Sequence, residues 1–289
     1  MKKAKQSFGG EWTTEKLKRL RKYLVAYATA MKNQRYQIVY IDAFAGTGYR
    51  TSPKEQEVED YLFPEMEEVM DGSARIALQV TPGFDKYIFI ERNQKKFAEL
   101  ENLKNEFPDL ANKILPKNED ANSYLKGLCD GPTWRKHRAV LFLDPFGMQV
   151  TWDTLEAIAS TEAIDVWYLF PLMAVSRMLK KSGEIPASWR KRLDAILGTS
   201  DWYDLAFQKK TTQGLFGEEE ITIKNSDYDF IVEYVVNRLS TIFPGVAENP
   251  LLLSNSRKNP IYLLCFAISN PSPRARELAL DIARSVLRK

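Results

Sequence analysis

Hydrophobic and polar positions alternate along this chain in two rhythms, and the switches between them mark out its elements. Leu17, Leu20, Leu24, Tyr27 and Met31 recur at three- and four-residue steps, which predicts an amphipathic helix over 14–32 with Thr13 or Thr14 as its cap. A short apolar strand over 38–44 then runs into closely spaced glycines. Further strands are expected at 86–90 (KYIFI), 113–116, 139–143 and 164–170. Helical patterns separate them: one from Gly72-Ser73 to about Val80, one over 93–106 with Phe97, Leu100 and Leu103 on one face, and one over 153–160. In the last of these Asp153 and Glu156 are spaced as a capping box. Pro171 stands where a first helical turn would follow the fifth strand.

Strands alternating with helices at this spacing predict βαβ units, hence an α/β fold with a mostly parallel sheet. Right-handed crossovers would bring the carboxyl ends of the strands, with Asp42, Glu91, Asp120 and Asp144, to one edge. Beyond the fifth strand the pattern loosens. Residues 172–225 read as a helical insertion over that edge, including SWRKRLDAIL, capped by Ser188 and stopped by Gly198, and the turn QGLFGEE. A helix over 227–242, apolar runs at 251–254 and 261–268 joined by NSRKNP, and a helix over 273–288 complete the chain. The terminal antiparallel hairpin distinguishes a methyltransferase-like sheet from a dinucleotide-binding one. The expected organisation is one domain over 1–289, with 1–35 as an N-terminal helical extension.

Composition narrows the chemistry. The 289 residues are 44% hydrophobic and 12% aromatic, enough for a large core. Cys129 and Cys265 match no metal or redox spacing, and His137 is the one histidine, so no Cys/His zinc site is expected, nor any Ser-His-Asp mechanism that does not run through His137, which lies in the polar stretch TWRKHR and reads as a solvated loop residue. No run is apolar and long enough to cross a bilayer, and no signal peptide is visible; a cytoplasmic protein with no membrane association is expected. The net charge of +3 is unevenly spread. Residues 1–30 carry eight Lys/Arg against two acids, 177–192 carry six against one, and 54–71 carry eight acids against one lysine. The two basic segments are candidate contacts for DNA or RNA, with Trp189 nearby to stack on bases; the solvated face of a helix explains such segments equally well.

The segment IVYIDAFAGTG, residues 38–48, carries the most chemistry. A buried strand delivering an acid and glycines into a turn suits a nucleotide-like cofactor, because backbone without Cβ atoms can lie against it. The dinucleotide fingerprint fails at Thr51, where a third glycine belongs. The arrangement D-x-F-x-G-x-G looks like motif I of class I S-adenosylmethionine (SAM) methyltransferases. It makes Asp42, Phe44, Gly46 and Gly48 candidate cofactor residues. Glu91, after the second strand, is the candidate acceptor for ribose hydroxyls, and its alternative is an acid favoured at a helix N-terminus. Asp120 or Glu119 could meet the adenine amine. Asp144, Pro145 and Phe146 are the candidate catalytic group, since an acid followed by Pro and an aromatic after the fourth strand is how amino-group methyltransferases hold the target nitrogen in line. Their signature is D/N-P-P-Y/F, whereas D-P-F-G here lacks the second proline and brings the aromatic one place early.

The strings YIDAFAGTG, DGSARIAL, FIERN, FLDPFGMQVTW, DVWYLFPL and GTSDW resemble those of the bacterial three-Cys-motif partner proteins (TcmP) over most of the chain. The resemblance implies a class I SAM methyltransferase-like fold and a functional partnership with a three-Cys-motif protein. It implies pocket roles for Asp42, Gly46, Gly48, Glu91 and Asp144, and no proven reaction. Two functions are thus expected to compete: a SAM-dependent methyltransferase acting on nucleic acid, at an amino group in the leading case, and a non-catalytic binding partner that keeps the fold.

Overall fold

The computed structural model describes residues 11–45, 72–180, 182–214, 217–224 and 226–288. Helix α1 (Glu11–Met31) precedes β1 (Gln37–Asp42). Then follow α2 (Gly72–Leu78), β2 (Lys86–Ile90), α3 (Gln94–Glu106), β3 (Ile114–Lys117), α4 (Ala121–Cys129), β4 (His137–Leu143), α5 (Trp152–Ser160) and β5 (Ile164–Phe170). An excursion of α6 (Leu172–Met178), α7 (Ala187–Leu197), α8 (Trp202–Ala206) and the strands β6 (Phe207–Gly214) and β7 (Gly217–Lys224) comes next. The chain ends with α9 (Tyr228–Ser240), β8 (Gly245–Val246), β9 (Leu251–Ser254), β10 (Pro260–Ile268) and α10 (Pro273–Leu287).

The main sheet runs β3-β2-β1-β4-β5-β10-β8, with β9 also paired to β10. Its first five strands are parallel, and β10 is antiparallel to β5, β8 and β9. One reversed strand therefore follows the parallel set, and the far edge is shared by the two short strands β8 and β9.

Side chains along each strand alternate between two cores because a strand's period is two. Val39 and Ile41, with Leu141, Leu143, Val166 and Tyr168, enter one core; Ile38 and Tyr40, with Val140, Phe142, Trp167 and Leu169, enter the other. Helices α4 to α7 and α9 close the first face, and α1, α2, α3 and α10 the second. Burial on both faces accounts for the nearly unbroken apolar runs of the central strands. The second core is rich in rings: Tyr23 lies 5.1 Å from Trp167 and 5.0 Å from Phe266, and Tyr27 stacks on Phe84. Helix α1 is thus part of the core packing, although it precedes the sheet in sequence.

Three local expectations are corrected. Helix α5 begins at Trp152 behind Thr151, so Asp153 lies inside the first turn and Glu156 accepts from Trp152 Nε1 at 2.9 Å instead of closing a capping box. Helix α7 begins behind Pro186, which places Ser188 within the helix; Gly198 ends it at φ 70°, as its lack of a Cβ permits. The excursion after β5 is helical only as far as Ala206. The residues on either side of the glycine turn then pair as an antiparallel hairpin from Phe207↔Lys224 to Gly214↔Gly217. The β-branched residues in KKTTQG and EEEITIK favour this state over helix.

Candidate functional site

The strand order reverses its direction of growth between β1 and β4, and open α/β sheets bind ligands outside the carboxyl ends at such a point. Asp42 is the last residue of β1 and pairs in register with Phe142; Asp144 follows two residues later on the neighbouring chain segment. The two carboxyls therefore stand side by side at the switch point. Beyond Asp42 the backbone is pinned to both neighbours, with Ala43 N–H donating to Phe142 O at 3.1 Å and Ala45 N–H to Ile90 O at 3.0 Å. Phe44 is half-buried against the first core. Gly46, Gly48 and Thr51, with the acidic stretch 54–71, lie outside the described residues.

The environments of the two acids differ sharply. Asp42 is 0% exposed. Burial raises its carboxyl to about 7; the Ser73 side chain opposes the shift, the charge of Asp144 adds to it, and the Phe44 backbone and Tyr40 hydroxyl oppose it further. Its Oδ2 accepts from the Tyr40 hydroxyl at 3.3 Å, and its Oδ1 has no hydrogen-bond partner among the described residues. Asp144 instead forms an ion pair with Lys16 of α1, whose side chain is 4% exposed. The Lys16 ammonium also lies 5.1 Å from the Trp12 ring centre and 5.8 Å from that of Phe142. Burial, with the Asp144 charge adding to it, pushes the Tyr262 hydroxyl of β10 up, and its ring packs on Trp12 at 5.0 Å. Helix α1 thus reaches the edge and contributes Trp12 and Lys16. Basic side chains on an N-terminal helix read as solvated from sequence, so Lys16 was invisible there; its spacing from the apolar positions Leu20 and Leu24 was the available signal.

Glu91 and Asp120 flank these acids on the β2 and β3 side. Glu91 accepts from the backbone N–H of Asn93, and Asn93 caps α3 by accepting from Lys95 N–H and Lys96 N–H at 3.0 and 3.3 Å. The Asn118 amide bridges to the carbonyls of Glu91 and Arg92 at 2.8 and 3.0 Å, tying the two turns together. Asp120 caps α4 through Ser123 N–H at 3.0 Å. Both acids keep structural partners, and each carboxylate retains acceptor capacity for a ligand.

The D-P-F-G turn is held from the opposite side by Asn122. Its amide donates to Gln149 O at 2.8 Å, and its carbonyl accepts from Thr151 N–H at 3.2 Å and Thr154 Oγ1 at 2.9 Å. Pro145 is buried, Phe146 half-buried, and Gly147 takes φ 72°. Among the described residues no group of three or more His, Cys, Asp or Glu could hold a metal ion, and no helix is long and apolar enough to cross a membrane. Cys129 and Cys265 are free and buried.

The strand order, the single reversed strand and the acids after successive strands define an α/β sheet of the Rossmann-like class I methyltransferase type. No family model matches the sequence, and no curated protein does. Among solved structures, a Legionella pneumophila protein of family DUF519 is 14% identical over 96% of this chain and 94% of its own, with a TM-score of 0.45. A putative methyltransferase from Escherichia coli is 13% identical, covering 72% of this chain and 87% of that one at a TM-score of 0.32. Magnesium protoporphyrin IX methyltransferase from Synechocystis PCC 6803, solved with bound SAM, is 14% identical over 76% and 86% at 0.34. These distant likenesses carry no argument about activity; the sheet class rests on its own topology.

Proposed function

We propose that this protein is a SAM-dependent methyltransferase acting on nucleic acid, with an amino group as its leading target. The observation that carries the reading is the pair Asp42 and Asp144 at the β1/β4 switch point of a sheet whose β10 is reversed. The residues suit the cofactor: Asp42 Oδ1 is a buried acceptor with no hydrogen-bond partner among the described residues, and Glu91 and Asp120 are further acceptors along the same edge. Asp42, Phe44, Gly46 and Gly48 would lie against the methionine and sugar, Glu91 against the ribose hydroxyls and Asp120 near the adenine. When bound, SAM supplies a methyl group activated by its sulfonium. Asp144 and the Pro145 carbonyl would accept the target amine's hydrogens, and Phe146 would stack on its ring, so that the nitrogen lone pair is aimed for in-line displacement. Transfer would form the nitrogen–carbon bond as the carbon–sulfur bond breaks, with the displaced proton leaving to water.

The nucleic acid would meet the exposed cations of the two basic segments. Lys18, Arg21 and Lys22 are exposed on α1, whereas Lys16 and Arg19 turn inward, Arg19 donating to Val286 O at 2.5 Å. In the second segment Lys180 and Arg190 lie over the rings of Trp189 and Tyr203 at 5.0 and 4.0 Å, and Lys191 is exposed. The second reading, a non-catalytic partner of a three-Cys-motif protein, is favoured by the ion pair that already engages Asp144. Calorimetric titration with SAM, and transfer of radiolabelled methyl to DNA and RNA, separate the two. Wild type is expected to bind SAM, Gly46→Val to lose binding, and Asp144→Asn to bind but not transfer. Absence of SAM binding by wild type would overturn the catalytic reading.

A further inference from the structure

The engagement of Asp144 by a lysine from a different element is the least expected feature of the edge. A lysine held at 4% exposure gives up most of its hydration, and among the described residues it receives the Asp144 carboxylate and the rings of Trp12 and Phe142 in return. Thr13, one turn earlier on the same helix, is likewise buried, and its hydroxyl has no hydrogen-bond partner among the described residues. Leu20, Tyr23, Leu24 and Tyr27 anchor α1 in the second core through apolar and ring contacts.

We infer that Lys16 is a positioning residue for the candidate acceptor carboxylate: its ammonium fixes Asp144 through Oδ2 and offsets the charge that Asp144 would otherwise project onto Asp42. The role in transfer rests on the methyltransferase reading; the charge arrangement does not. Asp144 has two oxygens, and a carboxylate free to rotate would offer a target amine either one in many orientations. With Oδ2 held on Lys16, Oδ1 is the acceptor left in a set direction. Asp144, the partner of that ammonium, bears in turn on the groups around it: its charge raises Asp42 and Tyr40 of β1 and Tyr262 of β10, with the Ser73 hydroxyl of α2 against Asp42. Asp42 and Asp144 repel one another, and pairing Asp144 with the Lys16 ammonium would lessen the negative charge that Asp42 meets.

Two readouts test this, one of which needs neither cofactor nor activity. Carboxyl carbon NMR on protein labelled at aspartate, assigned with Asp42→Asn, follows the midpoint of Asp42 in wild type, Lys16→Met and Lys16→Arg. Lys16→Met should raise the Asp42 midpoint above about 7 by a threefold or greater change in proton affinity, and Lys16→Arg should return it. In the transfer assay Lys16→Met should lower kcat tenfold or more while SAM affinity stays within threefold, and Lys16→Arg should recover most of the loss. An unchanged Asp42 midpoint in Lys16→Met, or equal losses in the Met and Arg variants, would overturn the inference. Should Lys16→Met not fold, Lys16→Gln keeps a hydrogen-bond donor without the charge and carries the same comparison. Wild type that fails to bind SAM overturns the proposed function, and the Asp42 titration still decides the charge arrangement.

Discussion

Replacing Asp42 by Asn should make the protein more stable at alkaline pH, which is the reverse of what a functional acid would suggest at first sight. The amide is nearly isosteric and cannot ionise. In the folded protein burial raises the Asp42 carboxyl from 3.8 to about 7, so the folded state holds this proton more tightly than the unfolded chain does. A group raised in this way contributes stability that is fully present below about pH 4 and is lost as pH rises through about 7. Between about pH 5 and pH 8 the loss amounts to roughly 3 kcal/mol, taking about 1.4 kcal/mol for each tenfold step in proton affinity. The Asp42→Asn protein has no such loss. Asp165, buried and also raised to about 7, with Tyr23 donating to it at 2.6 Å, is present in both proteins and cancels in the difference. Urea unfolding of wild type and Asp42→Asn at several pH values across this window measures the gap directly. It should widen in favour of the variant by about 3 kcal/mol towards pH 8. Parallel profiles would show that Asp42 does not hold its proton in the folded state, and the electrostatic picture of the switch point would fail with it.

Two further outcomes follow from packing. A Cβ on Gly198 would lie 2.1 Å from Trp152 Cγ at a backbone φ of 70°, so Gly198→Val should destabilise by roughly 3 kcal/mol or more in thermal or urea unfolding, and a near-neutral result would mean that α5 and α7 can separate. Asn122→Ala removes the bonds that hold Gln149, Thr151 and Thr154, and should cost about 1–2 kcal/mol while speeding amide hydrogen exchange at Thr151 well beyond the change at β4.

Periodicity revealed the sheet because its strands are buried on both faces and so read as apolar runs with sharp polar ends; β2 and β5 have the bounds their sequences predict. Helix starts were less legible. At α5 and α7 the chain enters the helix behind Thr151 and Pro186, and the polar residues one or two places later carry the same sequence signal as a cap. The β6–β7 hairpin was hidden by charge: lysines and glutamates on short strands outside the main sheet weaken the alternation on which a strand assignment depends. The placement of the acids at one edge was legible because topology brings strand ends together whatever the loops do. Lys16 was not, since its role is set by the docking of α1 across the sheet, a contact separated by 128 residues in the chain.

The departure of D-P-F-G from the amino-methyltransferase signature has a backbone cause. Gly147 occupies the place where the signature has an aromatic, and its φ of 72° is a conformation that side-chain-bearing residues rarely adopt. With the turn built this way, an aromatic at 147 would be strained, and the ring is carried by Phe146 instead. The missing second proline follows from the same turn, because position 146 is then needed for the ring. Asn122 and the Thr151 and Thr154 hydroxyls fix the far end of the loop, and Lys16 fixes Asp144 at the near end. A signature that had merely decayed would have no reason to keep both ends anchored around a glycine suited to its turn. On the proposed function, the arrangement is a different path of the loop that would still bring an acid, a proline carbonyl and a ring to the edge beside Asp42.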